Sequence, residues 1–215
     1  MNLILIATFA PPLLIVTYII YSDRCREPAN LCIKTFILGC LICIPAGMIN
    51  TYFIPDISYA YLAGFTEEPL KFAALYLYVR TKAHFDEPMD AIVYGTLISL
   101  GFATLENYEY VYLWAHDPQA VAILRAFSAI PMHACCGIIM GYYFGLYIFK
   151  EKNDLNLIKA LAIPIAFHAT YNFFATSNYL LMFLVLIIMI IFSNKIHKEL
   201  KKEQSVNECW YKKYK

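Results

Sequence analysis

Hydrophobic positions fall into seven long runs, at roughly 2–21, 32–54, 57–79, 90–114, 121–149, 157–176 and 178–193, with only short polar breaks between them. A helix needs about 20 residues to cross a hydrocarbon core of roughly 30 Å, so the pattern predicts an all-α, polytopic membrane bundle of about seven spans. The breaks carry turn chemistry. Pro28, Pro55-Asp56, His116-Asp117-Pro118 and Thr176-Ser177-Asn178 interrupt the runs, and Asp90, after Glu87-Pro88, is placed to accept bonds from first-turn amides and start the fourth helix. The first run contains Pro11-Pro12, with no basic residue ahead of it and no small-residue cleavage site behind it, which predicts a retained span rather than a signal peptide. Neither a repeat of fixed period nor a long soluble domain is visible.

Composition supports this class. The 215 residues are 60% hydrophobic and 15% charged, with a mean hydropathy of +0.55, too apolar for a soluble domain. A net charge of +1, with no basic stripe interleaved with aromatics, sets nucleic acid aside as a partner. The 18 tyrosines suit interfacial anchoring. The seven cysteines are scattered and indicate neither a disulfide framework nor a zinc ribbon; Cys40 and Cys43 have C-x-x-C spacing but read as small packing residues inside a span. Lysine and arginine add orientation: 15 of the 17 lie in or beside the first, third and fifth breaks or after Ser193. Basic segments stay cytoplasmic, so the N-terminus is expected outside and the C-terminus inside, with 194–215 as a basic cytoplasmic tail.

The third run contains an anomaly. Glu67, Glu68 and Lys71 sit about ten residues from either end of it, where each charge costs roughly 2.5–3.5 kcal/mol. Helical spacing puts Glu67 and Lys71 on one face and turns Glu68 away by about 100°, although Glu68 and Lys71 can also meet at i, i+3. Different jobs are therefore expected, one carboxylate facing a reacting water and the other held by a neighbour such as Lys71 or Asn107. Pro69 frees the Phe65 carbonyl, and freed backbone at membrane depth needs protein or a wet cavity beside it.

In the expected orientation Glu67, Glu106, His133 and His168 each lie about 8–12 residues below the outer end of a different span, roughly 12–18 Å deep. Two carboxylates and two imidazoles converging there are what a buried hydrolytic or metal site requires. His133, Gly137, Gly141 and Gly145 share one face as a small-residue seam, His168 and Asn172 share another, and Pro131, Pro164 and Gly101 are placed to loosen the helices at that depth. Glu109 and His116, near the outer interface, and His84 and His197, on the cytoplasmic side, read as solvated.

The stretches Glu67-Glu68-Pro69-Leu70-Lys71, Glu87 to Gly95, Gly101 to Asn107, Arg125 to His133 and His168 to Asn172 together resemble the PrsW family of intramembrane proteases, over roughly residues 60–175. The wider superfamily of CAAX prenyl endopeptidases and bacteriocin-processing enzymes has Phe-x-x-x-His where this chain has Phe102 to Glu106, and an Arg where Lys71 stands one residue nearer. The resemblance implies a single transmembrane protease domain over 1–193, in the bacterial cell membrane. It further implies cleavage of a single-span membrane protein, an anti-sigma factor, near the outer face, as an early step of regulated intramembrane proteolysis in a stress response. Two mechanisms are compatible. A metalloprotease uses Glu106, His133 and His168 as ligands, zinc being the first candidate, with Glu67 or Glu68 as general base; a metal-free glutamate protease activates water with a carboxylate and a histidine while His168 and Asn172 stabilise the oxyanion. From other classes, the same groups suit a proton-coupled transporter or a non-catalytic member of the fold, though no inverted repeat of polar positions supports transport.

Overall fold

The computed structural model describes residues 3–150 and 152–206, which are helical almost throughout, with no strand among them. The helices are α1 (Leu3–Ser22), α2 (Ala29–Phe53), α3 (Ala63–Leu77), α4 (Pro88–Tyr108), α5 (Pro118–Phe127), α6 (Ala129–Phe149), α7 (Asp154–Ser177) and α8 (Tyr179–Val206). Among the described residues, six segments are long and apolar enough to cross a membrane: α1, α2, α4, α5 with α6, α7 and α8. The third expected span is the exception. It is a 3-10 turn, Ile57–Leu62, running into the short α3, which holds Glu67, Glu68 and Lys71.

α4 lies at the centre, with 83% of its apolar stretch buried against 17% for α1 and 28% for α2, so the outer helices carry the lipid-facing surface. Its helix starts at Pro88, not Asp90. Glu87 is the N-cap, and Asp90, at the third helical position, reaches back to accept from the Glu87 amide at 2.8 Å and the Asp86 amide at 2.7 Å. At its other end α4 runs into a π-helical turn, Glu109–Trp114.

The glycine seam packs on α4. A Cβ at Gly141 would lie 2.1 Å from the Ala91 carbonyl oxygen, so only glycine permits this approach. Gly101 does not loosen its helix as expected; it lets α4 meet α2, where a Cβ would stand 2.0 Å from the Phe36 carbonyl oxygen. The expected fifth span is broken at Ser128, between α5 and α6. Pro131 explains the break, because it has no amide for the Phe127 carbonyl and its ring crowds that position. α8 continues past Ser193, burying Ile196 and Leu200 one turn apart, and this corrects the reading of His197: it is 2% exposed and bonded to the Ser22 hydroxyl at 2.9 Å.

Candidate active site

α3, α4, α6 and α7 each bring ionisable side chains to one point. On α3 the Lys71 ammonium donates to Glu68 Oε1 at 2.8 Å and lies 3.5 Å from Glu67 Oε2, so the i, i+3 pair is the tighter of the two. The same ammonium is 3.0 Å from His133 Nδ1 on α6 and 4.1 Å above the Phe102 ring on α4. An ammonium has only donors, so Nδ1 of His133 accepts and its Nε2–H donates to Glu106 Oε2 at 3.0 Å. His168 Nδ1 on α7 meets Glu68 Oε1 at 2.8 Å, and its Nε2 stands 3.9 Å from Glu67 Oε2. The two imidazole rings meet edge to face, 5.0 Å apart.

The two adjacent carboxylates differ as the helical spacing requires. Glu68 is fully buried, with Oε1 shared by Lys71 and His168. Glu67 lines a cavity of 580 Å³ together with Glu106, Arg125, His133, His168 and Asn172. That cavity reaches Ile54, Ile57, Trp114, Thr176 and Tyr179, at the end of the bundle whose connections carry no Lys or Arg. Asn50 Nδ2 donates to Glu67 Oε1 at 3.0 Å, and the Thr66 hydroxyl donates in turn to Asn50 Oδ1. Glu67 is thus held by Asn50 at one oxygen and more loosely by Lys71 at the other, on the wall of the cavity.

Comparison with known proteins gives the family. The family described as "PrsW family intramembrane metalloprotease" matches residues 27–194. The chain belongs to the PrsW family. It is 33% identical to "Protease PrsW" of Bacillus subtilis, over 95% of this chain and 97% of that one. It is 32% identical to "Protease PrsW" of Clostridioides difficile, over 91% and 89%. It is also 35% identical to "Protease PrsW" of Oceanobacillus iheyensis, over 79% and 81%. No solved structure matches it. The chain is therefore a multi-pass bacterial membrane protein and a peptidase.

Within this PrsW chain, residues that sequence reasoning left without a role complete the site. The Arg125 guanidinium on α5 donates to Glu106 Oε2 at 2.6 Å and to Asn107 Oδ1 at 2.8 Å, and lies 4.1 Å over the Tyr110 ring. Asn107 holds neither Glu67 nor Glu68; its amide donates to the Thr8 carbonyl at 2.8 Å and so ties Arg125 to α1. Asn172 donates to the Ala60 carbonyl at 3.1 Å, fastening the 3-10 turn to α7 on the cavity wall. Asn50 was hidden because an uncharged amide near the end of a span gives no signal by composition.

The family's description implies a metal, and the donor set fits one. Glu67, Glu68, His133 and His168 each offer a ligand atom, all within 4.8 Å of one another and all buried. Glu68 Oε2 is buried without a hydrogen-bond partner among the described residues, the kind of orphan a cation would satisfy. Glu106 stands outside this set, engaged by Arg125 and His133.

Proposed function

We propose that this protease cleaves a single-span membrane protein near the outer face of the bacterial cell membrane, an anti-sigma factor being the candidate substrate class, as an early step of regulated intramembrane proteolysis. The observation that carries this reading is the cavity running from Glu67, His133 and His168 to the bundle end whose connections carry no Lys or Arg. The rule that basic segments stay cytoplasmic puts that end outside.

In this reading Glu67 takes a proton from the attacking water in the cavity and delivers it to the leaving amine. Asn50 on one oxygen and Lys71 near the other fix its direction. Arg125 orients Glu106, and Glu106 orients His133 through its Nε2–H. Asn172 uses one amide N–H on Ala60 and keeps a second for a developing oxyanion in the cavity. His133, His168 and Glu68 are the residues that would hold a metal, zinc first, which supplies a Lewis acid and an activated water. Glu106 thereby moves from the expected ligand set to an orienting role. The metal-free glutamate mechanism stays as the second reading, because the Lys71 ammonium already meets Glu68 and His133.

The test is co-expression with a single-span reporter tagged at both ends. Cleavage near the outer face is expected with the wild type and none with Glu67→Gln at equal membrane abundance. Reporter fusions at Asp56, His116 and Ser177 should read outside, and those at Lys82, Lys152 and Lys202 inside. Cleavage at the cytoplasmic face, or cleavage undiminished by Glu67→Gln, would overturn the reading.

A further inference from the structure

A second group of acids, three buried and one half-buried, lies at the basic end of the bundle, one α4 length from Glu106, or about 28 Å at 1.5 Å per residue. Asp23 and Glu27 come from the α1–α2 connection, and Glu87 and Asp90 from the start of α4. Carboxylate oxygens of Asp23, Glu27 and Asp90 lie within 4.8 Å of one another, and Asp23 comes equally close to Glu87 and to the sulfur of Cys25, which is disulfide-bonded and so offers no thiolate. Asp23 is 2% exposed and Asp90 fully buried, yet among the described residues neither Asp23 Oδ2 nor Asp90 Oδ1 meets a hydrogen-bond donor. Of the other oxygens, those that meet a donor meet a neutral one, and the Glu27 and Asp90 carboxyls lie close enough to share a proton. Gln204 Nε2 on α8 donates to Asp23 Oδ1 at 2.6 Å and to Glu87 Oε1, the Tyr94 hydroxyl donates to Glu27 Oε2, and backbone amides serve Asp90 Oδ2.

Among the described residues the nearby guanidinium groups have other partners, and Arg26 acts on Asp23 only through space. The Arg24 guanidinium donates to the Ser205 carbonyl at 3.1 Å, and Arg26 lies 4.4 Å over the Tyr21 ring. Among the described residues, none of these four carboxylates forms an ion pair with Lys or Arg. Buried anions without a paired cation are costly, and burial pushes the Glu27 and Glu87 carboxyls up to about 7. Four carboxylates from two segments, two of whose oxygens meet no donor among the described residues, with no imidazole among them, are an oxygen donor set suited to a hard cation.

We propose that Asp23, Glu27, Glu87 and Asp90 form a structural site for a hard divalent cation, Mg²⁺ or Ca²⁺, that clamps the α1–α2 connection and the end of α8 to the start of α4. It is separate from the imidazole-containing centre in position and in donor chemistry. The clamp acts on the helix that carries Glu106, so it sets the register of the central helix from its far end.

The full chain in lipid nanodiscs, stripped with chelator, is titrated with MgCl₂ and separately with CaCl₂ while thermal unfolding is followed. The midpoint should rise by about 3–6 °C at saturation. His168→Ala should keep that rise, and Asp23→Asn with Glu27→Gln should lose it. Should the double variant not fold, Tb³⁺ luminescence reads the site directly. Excitation through Tyr94, whose hydroxyl is on Glu27, should give emission that Tyr94→Phe removes and that the true ion competes away, which also separates Mg²⁺ from Ca²⁺. No rise with either ion, a rise undiminished in the double variant, or Tb³⁺ emission indifferent to Tyr94→Phe would each overturn the proposal.

Discussion

The two ends of α4 gather buried carboxylates in opposite ways. Around Glu106 the acids are matched by the protein's own cations, Lys71 between Glu67 and Glu68 and Arg125 on Glu106. Around Asp90 the acids of the described residues are held by Gln204, Tyr94 and backbone amides, with no ion pair. The contrast teaches that burial alone does not define a charged site; what neutralises the charge does. A centre that must bind and turn over a peptide carries a permanent internal cation, whereas a structural joint can leave that place to an ion from solution.

The largest expected effect breaks the matched end. Lys71→Met leaves two adjacent buried carboxylates without their cation and should cost about 3–5 kcal/mol, read as loss of folded protein from the membrane. Folded, active Lys71→Met would mean that the ammonium is not the counter-charge. Next, Gly141→Ala forces α6 away from Ala91, near the acidic end, at a cost of about 1–3 kcal/mol in thermal unfolding. Arg125→Met removes the orienting partner of Glu106 and should lower cleavage about 10–100-fold with the fold retained, as measured by reporter cleavage at matched abundance. The smallest effect has the opposite sign to the first. With chelator present, Asp23→Asn removes one of several mutually repelling anions and should leave the unfolding midpoint unchanged or slightly higher.

Much of the site was legible because ionisable residues at membrane depth have few structural excuses. Glu67, Glu68, Lys71, Glu106, His133 and His168 all announced themselves in this way, and they meet. Arg125 did not, because a basic residue at the start of an apolar run looks like an interfacial anchor until α5 is seen to end at Phe127 and turn it inward. The break itself was encoded in Pro131, but a proline inside an apolar run equally suits a kink, and only packing decides. Asp23 and Glu27 were masked by Arg24 and Arg26 beside them; a loop of mixed charge reads as solvated, and its burial depends on α8 continuing to Gln204, far along the chain. His197 was misread for the same reason. In each case the missing information was a contact between segments distant in sequence.

The central claim is the division of labour between Glu67, open to the cavity, and Glu68, enclosed by Lys71 and His168. It is tested most directly by purifying Glu67→Gln and Glu68→Gln in nanodiscs and measuring, on the same samples, reporter cleavage and tightly bound transition metal. The account predicts that both variants lose cleavage, while Glu67→Gln keeps the wild-type metal content and Glu68→Gln loses it. Equal metal content in the two variants, or cleavage surviving in Glu67→Gln, would contradict it.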